Sequence, residues 1–332
     1  MMILAGDIGG TKTLLALYEV EATSDGSPRF HEVRRKRYDS PKFEGLAPLL
    51  VQFLASGRDA FTSAVFAVAG PVVNGVCKTT NLPWVVDAKE LSQLLRLPRI
   101  GLINDFQAIA VGIELLGTSD LHSLNPEAAS TPGVRAVLGA GTGLGEALVM
   151  PMANGWQVFA SEGGHADFAP TNELEIELLR FLQKSYERVA YERVLSGAGL
   201  VALYEFLVTS RTEQESPSVE AVLDAAHKAA AITADALAGN SAACVHAVDM
   251  FVNIYGAEAG NLALKCLPFA GLYVAGGIAP KLLSVIKKRF MPSFLDKGRM
   301  SPLLRRMPVH VILNTHVGLL GAANTAYQQA MR

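Results

Sequence analysis

The chain has 332 residues, half of them hydrophobic and 18% charged, enough for a sizeable buried core in two domains or one large one and too apolar for a disordered chain. A net charge of −2 gives no support to a nucleic-acid or anionic-membrane partner. Cys77, Cys244 and Cys266 form no C-x-x-C pair and have no histidine at ligand spacing, which argues against a disulfide scaffold or zinc cluster and fits a reducing compartment.

The start, Met1-Met2-Ile3-Leu4-Ala5-Gly6-Asp7, lacks the basic region of a signal peptide, and no apolar run reaches the ~18 residues of a membrane span, so a soluble cytoplasmic chain is expected. Ile3–Ala5 and Leu14–Val20 are apolar runs on either side of Gly6-Asp7-Ile8-Gly9-Gly10-Thr11-Lys12-Thr13, and predict a hairpin. The turn approaches the P-loop pattern, but Thr11 replaces the second glycine and a strand follows in place of a helix. Glycines at a hairpin tip still let backbone N–H groups converge on a phosphate, with Asp7 at the tip to hold Mg²⁺, often through water. Taken alone, the segment reads as a plain hairpin turn with an Asx motif. The run Arg34-Arg35-Lys36-Arg37 is read as a solvated strand face near a turn.

Val65–Ala69 predicts a buried strand ended by Gly70-Pro71, and Ile100–Ile103 another ended by Asn104-Asp105. A helix over Phe106–Leu116 is expected to stop at Gly117, giving the strand-then-helix pattern of an α/β fold. Ligands sit at such carboxyl ends of strands, although Asn and Asp are also good helix caps. Thr118–Gly133 is polar and is expected to cross between domains. Val134–Leu138, the turn Gly139-Ala140-Gly141-Thr142-Gly143-Leu144-Gly145 and Ala147–Met150 then repeat the strand-turn-strand plan. This turn fits G-x-G-x-x-G in no register and precedes a strand, so the dinucleotide reading fails. Its alternate glycines expose N–H groups, and Thr142 offers a hydroxyl.

Ser161-Glu162-Gly163-Gly164-His165-Ala166-Asp167-Phe168 concentrates polar groups. Glu-x-x-His ligates metal on a helix, but Gly163-Gly164 argues against one and no second copy exists. A loop offering a carboxylate and an imidazole to a vicinal polyol is the other reading. Tyr191-Glu192-Arg193-Val194-Leu195-Ser196-Gly197 places Glu192 before a helix, where it also complements the helix dipole. Helices are expected over Glu173–Arg180, Leu200–Leu207, Val219–Leu237 and Ala242–Cys266. Tyr273–Ala275 and Val309–Leu313 predict strands, Gly276-Gly277 a turn with Pro280 in the first turn of a helix, and Gly318–Arg332 a final helix.

Two phosphate-type hairpins, one opening each half, resemble the sugar kinase, actin and chaperone ATPase superfamily. I-N-D-F, G-A-G-T-G-L-G, E-G-G-H-A-D-F-A-P, E-R-V-L-S-G-A-G-L and A-G-G-I-A-P, in that order and with Asp7–Thr11 and Thr80-Asn81…Trp84, closely resemble the bacterial glucokinase family from about residue 3 to the final helix. The resemblance implies a two-lobed actin-like, ribonuclease H-like α/β ATPase fold with an interlobe cleft. Its small α/β domain would be residues 1–116 plus 316–332, and its larger α+β domain residues 117–315. The helix with Gly318, Gly321, Ala322 and Ala323 would pack closely at the hinge.

The implied activity is transfer of the ATP γ-phosphoryl group to the 6-hydroxyl of glucose, at the entry to glycolysis, with Mg²⁺, in a homodimer. Asp105 would be the catalytic base. Asn104, Glu162, His165 and Glu192 would bind the remaining hydroxyls. Gly9, Gly10, Thr11, Gly141, Thr142 and Gly143 would line the phosphates, Gly276 and Gly277 the adenosine, and Asp7 would hold Mg²⁺ through water. Two positions depart from the family: Ser161 stands where some relatives have Gly, and Lys12-Thr13 replaces an Asn-led pair, leaving Lys12 able to reach the phosphates. The rivals are a kinase of the repressor, open-reading-frame and kinase family for another hexose or amino sugar, disfavoured because no cysteine lies between Cys77 and Cys244, and an actin- or chaperone-like ATPase switch.

Overall fold

The computed structural model describes residues 1–23, 28–55, 57, 60–80, 82–153, 155–211, 213–222 and 224–331. The chain divides into two compact units, Met1–Gly117 with Asn314–Arg332, and Thr118–Leu313.

The first unit is built on a five-stranded sheet of β1 (Met2–Ile8), β2 (Lys12–Ala22), β3 (Pro28–Asp39), β4 (Ser63–Val68) and β8 (Ile100–Asn104), in the order β3-β2-β1-β4-β8. β5 (Val72–Val73), β6 (Val76–Lys78) and β7 (Val85–Asp87) form a small separate sheet. β1, β2 and β3 are antiparallel neighbours, whereas β4 runs parallel to β1 and β8 parallel to β4. β1 and β4 are central and covered on both faces, which is why they read as unbroken apolar runs. Leu4, Ile8 and Phe66 face one cluster with Phe53 and Trp84, while Ile3, Ala5 and Val65 face another with Ala108 and Leu319. The basic run lies on edge strand β3, with Arg35, Lys36 and Arg37 exposed and Arg34 stacked 4.6 Å over the Phe53 ring.

The helix after β8 spans Asp105–Gly112 and tightens into a 3-10 turn over Ile113–Leu115, ending within one residue of the expected Leu116. A Cβ on Gly112 would lie 2.3 Å from the Val317 carbonyl oxygen, and one on Gly321 would lie 1.8 Å from that of Ala108. The final helix, Val317–Ala330, therefore presses backbone to backbone on this one.

The second unit holds a six-stranded sheet of β9 (Leu121–Ser123), β10 (Arg135–Ala140), β11 (Leu144–Met152), β12 (Gly155–Ser161), β13 (Leu272–Ala275) and β14 (Val309–Ile312), in the order β12-β11-β10-β13-β14-β9. Expectation misses two strands here. β9 lies within the polar segment read as a crossing, and pairs antiparallel with β14 at the sheet edge, where three residues of moderate burial suffice. β12 completes a meander with β11 and leads directly into Glu162. The expected helix over Val219–Leu237 is interrupted. It forms Pro217–Glu220 and Ala225–Ala238, the second started by Asp224, whose side chain accepts from the His227 N–H. Ala242–Cys266 forms as expected, capped by Ser241, and its apolar face packs on Leu138, Leu200 and Phe290 in the large core. The segment after Gly276-Gly277 is a run of turns until a helix begins at Leu283, so Pro280 precedes that helix instead of opening it.

Candidate active site

Asp7 lies inside β1, opposite Leu14, one residue short of the strand's end and not at the hairpin tip. The loop Gly9-Gly10-Thr11 is braced from below. The Gly9 N–H donates to the Lys12 carbonyl at 2.9 Å, the Ser40 N–H donates to the Thr11 carbonyl at 3.2 Å, and the Ser40 hydroxyl donates to the Gly9 carbonyl at 2.8 Å. Ser40 and Thr13 are fully buried, with their hydroxyl oxygens 2.9 Å apart. Among the described residues, the Gly10 and Thr11 N–H groups have no protein partner. Burial raises the half-buried Asp7 carboxyl above its usual range, and the nearby Lys12 ammonium pulls it back.

Asn104 caps the helix that follows it. Its Oδ1 accepts from the Phe106 N–H at 2.9 Å and from the Gln107 N–H at 3.2 Å, and its Nδ2 donates to the Gly70 carbonyl at 3.2 Å. Capping is thus a large part of what Asn104 does. It fixes Asp105 in the first helical position, where the Asp105 Oδ1 accepts from the Phe106 N–H at 3.0 Å. The buried Cys77 thiol is pushed up to about 11, by burial first and then by the Asp105 charge. Thr80 donates its N–H to the Ala69 carbonyl at 3.2 Å, and Trp84 is buried, donating its ring N–H to the Phe43 carbonyl at 3.0 Å. Asn81, in the same matched segment, lies outside the described residues.

In the second unit the structure brings three predicted segments together around Leu144, the first residue of β11. The Leu144 N–H donates to Glu192 Oε2 at 3.1 Å. A Cβ on Gly143 would lie 2.3 Å from that same oxygen, and one on Gly164 would lie 2.0 Å from the Leu144 carbonyl oxygen. Glu162-Gly163-Gly164-His165 is a 3-10 turn packed on the start of β11 and against the turn Tyr191–Arg193. Gly163-Gly164 is therefore demanded by the strand beneath it. Glu162 and His165 stand out from the turn, their side chains 66% and 55% exposed and their nearest polar atoms 3.9 Å apart. The metal-ligating alternative gains nothing, since no group of three or more His, Cys, Asp or Glu able to hold a metal occurs among the described residues.

The Gly141 N–H is not exposed for a ligand, contrary to expectation, because it donates to the Gly143 carbonyl at 2.8 Å inside the loop. The Thr142 and Gly143 N–H groups have no protein partner among the described residues. Gly276 adopts φ +84, and a Cβ there would lie 2.3 Å from the Ala140 carbonyl oxygen. Sequence reasoning missed the brace under this pair of turns. The buried Tyr255 hydroxyl accepts from the Ala140 N–H at 3.0 Å and donates to the Ala275 carbonyl at 3.3 Å, tying the ends of β10 and β13. Nothing in the spacing marks Tyr255, which sits 115 residues beyond the strand it holds.

A family model described as Glucokinase matches residues 4–329. The chain belongs to the glucokinase family. It is 46% identical to the glucokinase of Trichormus variabilis over 97% of this chain and 98% of that one, and 44% identical to that of Synechocystis over 98% of each. Among solved structures, a glucokinase from an Antarctic psychrotroph superposes with a TM-score of 0.81 at 30% identity, covering 98% of this chain and 99% of that one. A Streptomyces griseus glucokinase of the repressor, open-reading-frame and kinase family, in complex with glucose and AMPPNP, shares the fold at a TM-score of 0.68 and 21% identity. The chain is thus a phosphotransferase of the hexokinase class with an actin-like ATPase fold, and the rival kinase and ATPase-switch readings are not favoured.

Proposed function

We propose that the enzyme transfers the terminal phosphoryl group of ATP to the 6-hydroxyl of glucose, giving glucose 6-phosphate and ADP, and that Asp105 accepts the hydroxyl proton. The observation that carries this is the Asn104 cap, which holds one carboxylate at the start of a helix at the end of the half-buried parallel edge strand β8. Phosphoryl transfer asks the protein mainly for positioning and charge stabilisation. Asp105 supplies the first for the nucleophilic oxygen. Glu162 and His165 bind sugar hydroxyls from their exposed turn, Glu192 uses the carboxylate oxygen left by the Leu144 N–H, and Asn104 contributes its remaining amide capacity.

The N–H groups of Gly10, Thr11, Thr142 and Gly143 donate to phosphate oxygens, with Gly9 and Gly141 shaping those loops. Lys12 adds positive charge beside them. Gly276 and Gly277 keep the backbone clear of side chains where adenosine lies. The residues fit Mg²⁺ held by a single protein carboxylate through water, since Mg²⁺ commonly takes one or two carboxylates plus substrate phosphates and keeps several waters. Asp7 is that carboxylate, half-buried beside the Gly9–Thr11 loop. When bound, Mg²⁺ neutralises charge on the phosphates.

We place the enzyme in the cytoplasm, at the entry to glycolysis, as a homodimer. Among the described residues no helix is long and apolar enough to cross a membrane, and the free cysteines fit a reducing compartment. The test is ADP release from Mg-ATP with and without glucose, mannose, fructose and N-acetylglucosamine. Release that depends strongly on glucose is expected. Release indifferent to every sugar would move the reading to an ATPase switch.

A further inference from the structure

Beneath the Glu162–His165 turn lies a buried acid that has no part in the phosphoryl transfer itself. Glu146 points from β11, is 3% exposed, and stands opposite Ser161 across the β11–β12 pairing. A Cβ on Gly163 would fall 1.9 Å from Glu146 Oε2 and 3.2 Å from the Ser161 hydroxyl oxygen, so both side chains lie directly under that residue. The Ser161 hydroxyl accepts the Gly163 N–H at 3.0 Å. Glu146 Oε1 is buried and makes no hydrogen bond among the described residues.

The helix Ala242–Cys266 packs the same pocket with charge. Glu258 is 1% exposed, its Oε2 accepts from Asn261 at 2.9 Å, and its Oε1 faces the Lys265 ammonium at 4.0 Å. Tyr255 and Cys266 of that helix feel the Glu146 charge, and Tyr191 and Lys297 bear on Glu258. From the turn itself, Glu162 and His165 flank Gly163 and point outward.

We propose that Glu146 is a positioning residue for sugar binding: uncharged, it supports the Gly163 backbone and so aims Glu162 and His165, and its ionisation displaces the turn. This rests on the assignment of Glu162 and His165 to the sugar. A neutral carboxyl needs little solvation and tolerates close backbone contact. A buried carboxylate with an unpartnered oxygen demands a donor or water, and the glycine turn above it, whose Glu162 and His165 side chains are exposed, is the neighbour that yields. Burial first, and then the Glu258 charge, push the Glu146 carboxyl up to about 7, with Lys265 opposing, so the change falls in the neutral range.

The test is glucose binding by calorimetry without nucleotide, together with the KM for glucose and kcat, from pH 5.5 to 8.5, in the parent and in Glu146→Gln. The amide keeps the shape of the acid and cannot ionise, so the ratio between the two proteins isolates the Glu146 charge. Expected is equal affinity at pH 5.5 and, at pH 8.5, tighter binding by the Glu146→Gln variant on the order of three- to tenfold, short of the ~10² that a 1 Å misplacement can cost. The kcat values should stay equal. In Glu258→Gln, loss of the like charge should move the fall in affinity to lower pH, a direction that general damage to the fold does not produce. Parallel affinity profiles for parent and Glu146→Gln would overturn the inference alone. Glucose that fails to bind the parent at any pH would overturn it together with the sugar-site reading.

Discussion

The two units share one strand plan and stabilise its loops by different chemistry. In each, an antiparallel meander of three strands is followed by two strands parallel to the first of them: β3-β2-β1-β4-β8 in one, β12-β11-β10-β13-β14 in the other. The first hairpin in each carries a glycine loop, and the fourth strand in each ends on Val-Ala-Gly, Val68-Ala69-Gly70 and Val274-Ala275-Gly276, with both glycines at positive φ. The first loop hangs on a buried Ser40–Thr13 hydroxyl pair, whereas the second is held by the Glu192 carboxylate and by Tyr255 reaching up from a helix. A common topology thus fixes where a glycine loop opens. The local side chains decide what else it can do: the first unit places Asp7 near the end of β1 and Asp105 directly after β8, and the second places Glu162 directly after β12.

That division of labour can be broken most severely at Asp105. Asp105→Ala should lower kcat by about 10²–10⁴, or ~3–5 kcal/mol, while thermal unfolding shifts little. Turnover near that of the parent in a folded variant would remove the base from the first unit. The two Val-Ala-Gly ends come next. Gly276→Ala must accommodate an unfavourable φ and a Cβ 2.3 Å from the Ala140 carbonyl oxygen. Gly70→Ala meets its nearest atom, the Lys78 carbonyl oxygen, at 3.0 Å. Gly276→Ala should therefore cost more than the roughly 1–3 kcal/mol of backbone strain the two share, and denaturant unfolding of the pair would show whether the second unit's turn is the tighter.

A smaller effect is expected from Tyr255→Phe. It leaves the buried Ala140 N–H and the Ala275 carbonyl without the hydroxyl, a cost of about 1–3 kcal/mol, and should raise the KM for ATP more than that for glucose. Equal change in both would mean that the brace holds the whole unit and not the nucleotide turns. Ser40→Ala should be mildest, about 1 kcal/mol for a hydroxyl that donates to the Gly9 carbonyl, again with its kinetic effect on ATP. An effect of Ser40→Ala larger than that of Tyr255→Phe would reverse the comparison between the loops.

Much of the fold was legible in the amino-acid sequence. The hairpins, the buried parallel strands and the long helix follow from unbroken apolar runs, glycine turns and three- and four-residue spacing, because those patterns depend on neighbours close in sequence. The motif order pointed to the family for the same reason: Asn104-Asp105, Gly141-Thr142-Gly143 and Glu162–His165 are contiguous. The two strands at the edges of the second sheet were not legible. β9 is held by β14, far along the chain, and β12 by its pairing with β11, and the patterns of both strands are weak on their own.

The sequence by itself determined the strand-turn-strand plan, its repetition and the candidate residues for the reaction, since each is written in local pattern. Only the tertiary structure decided which of those residues are also structural and which silent ones matter. Asn104 spends its oxygen on a cap, the Gly141 N–H turns inward, and Gly163-Gly164 are glycines because β11 lies under them. Ser40, Tyr255 and Glu146 brace the turns of their own units across the sheet or from a helix far along the chain, and a hydroxyl or carboxyl gains its role from the buried atoms it meets, which spacing along a sequence does not encode.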